Sequence, residues 1–145
     1  MATVRDMIRK KGDQVFTIAP QATVLDALKM MAQHNIGALL VMTEDKLEGI
    51  LSERDCIRKV ELTGRTAKNT KVSDIMTSNV ITVDCSQPLE ECLALMIDKN
   101  IRHLPAYDGG ELVGLLSVRD VLKEVIEVQQ TMLSQLERYI TGGGR

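Results

Sequence analysis

Gly49-Ile50-Leu51-Ser52-Glu53-Arg54-Asp55 and Gly114-Leu115-Leu116-Ser117-Val118-Arg119-Asp120 are two copies of one seven-residue pattern. Each reads as the end of an apolar strand running into a helix, with a hydroxyl at the N-cap and a carboxylate three residues on. That is a capping box with Asp in place of the usual Glu or Gln. It satisfies orphan backbone donors at the helix start. It also leaves a small, glycine-opened, electropositive corner suited to a phosphorylated or polyhydroxylated ligand. One isolated copy would be read as a helix cap and no more; the second copy changes the weighting.

An offset of 65 aligns Thr17–Val60 with Thr82–Val125 without a gap, and 13 of the 44 aligned pairs are identical, Ser52, Arg54 and Asp55 among them. Unrelated stretches of ordinary composition would share about two or three. The chain is an internal duplication. Ahead of each copy lies a similar lead-in, Val4-Arg5-Asp6-Met7-Ile8 and Val72-Ser73-Asp74-Ile75-Met76, each expected as a short helical turn. The first lead-in holds three extra residues around Lys10-Lys11-Gly12, which read as a loop.

Within each copy the β-branched runs Val15–Ile18 and Val80–Val83 read as strands, followed by turns near Pro20 and Pro88. Helices come next. Thr23 and Asp26 form a capping pair, and Val24, Ala27, Leu28 and Met31 fall on one face. Leu89, Cys92, Leu93 and Met96 repeat that spacing, with Pro88 expected at the first helical position. His34 and Lys99 sit near the helix C-termini, where positive charge is favourable. Ala38–Met42 and His103–Tyr107 read as strands that turn through Glu44-Asp45-Lys46 and Asp108-Gly109-Gly110 into Leu47–Leu51 and Leu112–Leu116. Pro105 lacks an amide donor, so its strand must be at an edge or irregular there. Residues 63–71 read as a polar, basic connection. The last helix is expected from about Val118 to Ile140, with an apolar stripe of Val118, Leu122, Val125, Met132, Leu136 and Tyr139 that must fold back or meet another chain. Gly142-Gly143-Gly144-Arg145 reads as a disordered tail.

Of the 145 residues, 44% are apolar and 26% charged, with a net charge of −2, so nucleic acid is not the expected partner. With no Trp, one Phe and two Tyr, stacking platforms are nearly absent. Cys56, Cys85 and Cys92 form no C-x-x-C pair and read as apolar filler. No apolar run has the length of a signal peptide core or a membrane span, so a cytoplasmic location and no membrane partner are expected.

These residues resemble the cystathionine-β-synthase (CBS) domain, and the chain from about Val4 to Ile126 resembles a tandem pair of such domains, the Bateman module. The lead-in Val72-x-Asp74-Ile75-Met76-Thr77, the Ile101-x-x-Leu104-Pro105 strand and the Gly-x-x-Ser-x-x-Asp ending stand where that family has them. The resemblance implies an α+β fold of tandem β-α-β-β-α repeats with pseudo-twofold symmetry and a long C-terminal helix. It further implies facing sheets and two clefts that take adenosine-containing ligands such as AMP, ATP, NAD or S-adenosylmethionine. The expected domains are residues 1–66, residues 67–128, and a helix extension with tail over 129–145.

By the same resemblance Asp55 and Asp120 accept hydrogen bonds from ribose hydroxyls, Ser52 and Ser117 lie beside the sugar or phosphate, and Thr17, Ile18, Thr82 and Val83 line the adenine. A carboxylate is acceptor-only and a vicinal diol offers two donors, so the residue types fit. Arg102 and His103 stand where many members carry basic residues near phosphates, whereas the first half has Gly37 and Ala38. Arg54 with Arg58, and Arg119 with Lys123, are helical pairs that read either as solvated charge or as phosphate contacts. Lys59, Arg65 and Lys68 add to the basic character beside the first copy.

The expected function is therefore a regulatory module that binds AMP, ADP, ATP or NAD as a cytoplasmic energy or ligand sensor in signal transduction. It needs no cofactor, carries no catalytic residues or metal, forms a homodimer and reports to a downstream protein. Two alternatives stand beside it: a nucleotide hydrolase using Asp55 or Asp120 with a metal, and a structural subunit with empty clefts.

Overall fold

The computed structural model describes residues 2–12 and 14–141, so the tail expected at 142–145 lies outside the described residues. The elements in order are α1 (Val4–Lys11), β1 (Thr17–Ile18), α2 (Val24–His34), β2 (Ala38–Thr43), β3 (Lys46–Ser52), α3 (Glu53–Lys59), α4 (Val72–Ile75), β4 (Val83–Asp84), α5 (Leu89–Lys99), β5 (His103–Asp108), β6 (Glu111–Ser117) and α6 (Val118–Thr141). They form two three-stranded sheets, β1-β2-β3 and β4-β5-β6, each with a parallel and an antiparallel pairing. The fold is mixed α+β with a long C-terminal helix, as expected.

Two compact units emerge: residues 14–81, and residues 82–141 together with 2–12. Each lead-in therefore packs on the other repeat. Ile50 and Thr77 exchange backbone hydrogen bonds of 3.0 and 2.9 Å, which attaches the chain after α4 to β3. Likewise Val4 N–H donates to the Gln87 carbonyl and Arg5 N–H to that of Cys85, attaching α1 beside β4.

In the unit 14–81 the core consists of Ile18 from β1, Val24, Ala27 and Met31 from α2, Leu39 and Val41 from β2, Leu51 from β3, and Cys56, Val60, Val72 and Ile75. The i, i+3, i+7 face read for the first helix is thus the buried one. Leu28, read on that same face, is only half-buried. In the other unit Leu89, Cys92 and Met96 occupy the same places on α5, and Leu104, Ala106, Leu116 and Val121 complete the packing. All three cysteines are buried. Desolvation pushes the thiols of Cys56 and Cys92 up to about 11, as befits filler.

Four expectations are corrected. Lys10 and Lys11 are helical, not loop: Thr3 caps α1 with a reciprocal Thr3/Asp6 box, three basic residues occupy its last turn, and Gly12 ends it at φ +94°. Val80–Thr82 is not strand. In the first unit Leu40 N–H donates to the Phe16 carbonyl, but its counterpart is Pro105, which has no donor, so β4 begins one residue late at Val83. The same proline lies in the middle strand of its sheet, at a position that β4 does not reach. Pro88 is the N-cap of α5 rather than its first residue.

The glycine of the repeated motif is closed over, not open. Both sheets carry a bulge just after the motif glycine's partner, between Val41 and Met42 and between Ala106 and Tyr107. There the lead-in segment lies directly against the glycine. A Cβ on Gly49 would stand 2.7 Å from the Thr77 carbonyl oxygen and 2.9 Å from Met76 Sδ, while one on Gly114 would meet the Ile8 side-chain methyl.

Backbone cannot retreat as a methyl can. Gly49→Ala is therefore expected to cost about 1–3 kcal/mol of stability, and Gly114→Ala less, because Ile8 can change rotamer. Urea unfolding midpoints of the two variants, at equal slope, check the order; equal losses would mean that Ile8 is as immobile as the carbonyl.

Candidate ligand site at the two strand-to-helix corners

Both copies of the motif fold into the reciprocal cap. In the first, Ser52 N–H and Ser52 Oγ donate to Asp55 Oδ2, both at 3.1 Å, and Asp55 N–H donates back to Ser52 Oγ at 3.1 Å. In the second, Ser117 N–H donates to Asp120 Oδ2 and Asp120 N–H to Ser117 Oγ, again at 3.1 Å. The two carboxylates are mostly buried, with side-chain exposures of 18% and 26%.

A lysine sits on each carboxylate, and the two come from different elements. Lys59, one turn along α3, stands 3.3 Å from Asp55 Oδ1 and donates to the Ile75 carbonyl of α4 at 3.0 Å. Its counterpart in the repeat is Glu124, which cannot do this. Instead Lys11 reaches over from α1, donating to Asp120 Oδ2 at 2.6 Å and to the Leu115 carbonyl at 2.7 Å. Glu124 holds the neighbouring Lys10 at 2.8 Å. An ammonium that is lost from the helix in one copy is thus restored from the lead-in helix.

Burial alone would raise the Asp120 carboxyl, but the Lys11 ammonium and the Ser117 donors outweigh it and hold the group below its ordinary value of 3.8. Lys11 was missed by the sequence reading. Its only signal is in the tertiary fold, because it lies 109 residues from its partner. Lys59 was noted only for general basic character, although its i+4 spacing from Asp55 points to the pair.

The remaining candidates are distributed around these corners. His103 is the register partner of Ser117, and the Arg102 carbonyl accepts from Val118 N–H at 2.8 Å, so both basic residues border the Asp120 corner. At the Asp55 corner, Ala38 pairs with Ser52 and the Gly37 carbonyl accepts from Glu53 N–H at 3.0 Å. Arg102 is exposed and His103 half-buried. Thr17 and Thr82 are exposed, whereas the side chains of Ile18 and Val83 are core, so what the latter pair presents outward is backbone. Because β2 lies between β1 and β3, Thr17 is about 10 Å, two strand spacings, from β3. Arg54, Arg58 and Arg119 are exposed, Arg54 and Arg119 on the first turns of α3 and α6 and Arg58 in the last turn of α3. No group of three metal-ligating side chains occurs among the described residues.

Comparison with known proteins matches the CBS domain over residues 4–62 and again over 72–127. The chain belongs to the CBS-domain family. This CBS pair is 37% identical over 150 residues to the CBS domain-containing protein CBSX3, mitochondrial, of Arabidopsis thaliana, covering 97% of this chain and 73% of that one. Among solved structures, a protein with CBS domains from Burkholderia ambifaria is 44% identical with a TM-score of 0.84, over 87% of this chain and 95% of that one. The CBS pair of protein MJ0100, in complex with 5′-methylthioadenosine and S-adenosyl-L-methionine, is 26% identical with a TM-score of 0.74, over 86% and 96%.

The electrostatics of the second corner are open to test. A carboxyl lowered by folding lends stability that is complete above its unfolded value and is lost as pH falls through the folded one, here below about pH 4. Lys11→Met should move the Asp120 carboxyl upward, read from its carbon resonance in an NMR titration. Asp120→Asn should flatten the acid limb of stability below pH 4. An unchanged titration in Lys11→Met would show that the lysine is not what holds the group down.

Proposed function

We propose that this CBS pair is a regulatory module that binds an adenosine-containing ligand at the Ser-x-x-Asp corners, with AMP, ADP, ATP and NAD as the ligands to try first. The ligand is returned intact and its occupancy is passed to a downstream protein. The cytoplasm is the proposed location. No helix among the described residues is long and apolar enough to cross a membrane. The observation that carries the reading is the pair of semi-buried carboxylates, each held at a strand-to-helix corner and faced by a lysine. The complex of the MJ0100 CBS pair with two adenosine-containing ligands supports the same class for this chain.

The chemistry assigns roles. Of the roughly four lone-pair sites on a carboxylate, Asp55 uses three on Ser52 and Lys59, so a ribose diol must draw Lys59 aside to be bound through both hydroxyls. The released ammonium then faces the ligand's phosphate. At Asp120 both Ser117 N–H and Lys11 bond Oδ2, so a diol can reach Oδ1 with Lys11 in place as the cation beside the ligand. Arg102 and His103, bordering the Asp120 corner, favour phosphate there, and Arg54, Arg58 and Arg119 supply longer-range attraction. The module works as a pair of identical chains, the apolar residues exposed along α6 supplying surface for the contact.

Calorimetry with AMP, ADP, ATP and NAD should show binding at micromolar affinity or weaker. Asp55→Ala or Asp120→Ala should each weaken it by roughly tenfold to a hundredfold, the value of hydrogen bonds to a charged acceptor. Chromatography of the incubated nucleotides should return them unchanged. Absence of heat with all four ligands would refute the reading. A second titration separates the corners: Arg102→Ala with His103→Ala should weaken AMP about tenfold while adenosine is held as before. Equal loss of both ligands would remove phosphate recognition from these two residues.

A further inference from the structure

Helix α6 carries a second pattern that its own unit does not use. Val121 is fully buried, Val118, Val125 and Val128 are half-buried, and the Glu124 side chain faces Lys10. These residues fasten the first half of the helix to its unit. On the other side Leu122, Ile126, Gln129, Leu133, Leu136 and Ile140 follow one another at spacings of 4, 3, 4, 3 and 4 residues, the seam of a coiled coil. All are exposed, from 41% at Leu122 to 71% at Ile140. This differs from the stripe read from sequence, which ran through Val118 and Val125. Those two belong to the buried side.

From Gln129 to Thr141 every residue is exposed, a helical segment of about 20 Å. The segment propagates from the anchored first half of α6 and needs no partner to nucleate. What calls for a partner is the apolar seam it leaves in water, and the charges beside that seam indicate which. In an antiparallel arrangement about Thr131, Leu122 meets Ile140 of a second copy, Ile126 meets Leu136, and Gln129 meets Leu133, so every seam residue finds a seam residue. Beside the seam Lys123 then faces Glu137 of the second copy, twice by symmetry, and Gln130 faces itself. A parallel arrangement sets the flanking Lys123 and Glu137 against apolar positions such as Val118 and Met132, and stacks Gln129 on itself. The face is complementary to itself only when reversed.

We infer that two copies of this chain associate through an antiparallel, twofold pairing of α6 along the Leu122–Ile140 seam. The inference rests on the two-copy part of the functional reading, and does not depend on nucleotide binding. It joins two sets of ligand corners through the same helix whose first turn holds Asp120.

Sedimentation velocity over a range of concentrations should give a dimer. Leu133→Asp with Leu136→Asp, at exposed sites that leave each unit's core untouched, should weaken it about a hundredfold or more while leaving nucleotide heats unchanged. Lys123→Glu and Glu137→Lys should each weaken it several-fold, and the two together should restore it. Under mild oxidation Gln129→Cys with Leu133→Cys should give a disulfide-linked dimer and either change alone should not, since each residue faces the other's position. A monomer at all concentrations overturns both the two-copy reading and the seam. A dimer indifferent to the Asp substitutions overturns the seam alone, and cross-linking by Gln129→Cys alone overturns the antiparallel direction.

Discussion

The reciprocal bond between Ser and Asp at the end of the last strand of each sheet is the constraint on which the rest of this structure depends. It turns the chain from strand to helix without leaving the first amides of α3 and α6 unsatisfied, and it holds a carboxylate in a mostly buried position. A buried carboxylate with no cation nearby would be costly, and the fold supplies one to each. The cap, the candidate ligand corner and the lysine are therefore one unit of physical chemistry. A single substitution there touches the helix start and the proposed ligand corner together.

The duplication shows which parts of that unit are free to change. Hydrogen bonding at the corner is the same in both copies to within the side-chain hydroxyl's own donation. The cation is not: Lys59 has become Glu124, and Lys11 from the lead-in helix takes over the charge. Leu40 has become Pro105, and β4 starts later for want of one amide. Gly37 has become Arg102, which places a permanent positive charge beside the Asp120 corner. Where the requirement is a charge at a point in space, any element that reaches the point will serve; where it is a backbone hydrogen bond, the loss of a donor shifts the element itself.

The exchange of lead-ins ties the two halves of the sequence into a mutual dependence. Each motif glycine exists so that a segment from outside its own repeat can lie against the strand, with Thr77 and Met76 at Gly49 and Ile8 at Gly114. A sequence repeat and a packing unit are for this reason different objects in this chain.

Much of this was legible in the order of residues. The caps at Ser52, Ser117 and Thr23, the buried faces of α2 and α5, the hairpins and the extent of α6 all follow from periods and short-range hydrogen-bonding rules, because their causes lie within a few residues of each other. Asp55 and Asp120 stood out as acceptors on the same ground. What only the tertiary structure decided are matters of distance across the chain. It paired Lys11 with Asp120, set Arg102 and His103 beside Ser117, closed the motif glycines under the opposite lead-ins, and chose which side of α6 is buried. Sequence periodicity marks every apolar face of a helix alike. The position of the neighbouring elements selects the one to be covered, and leaves the other exposed.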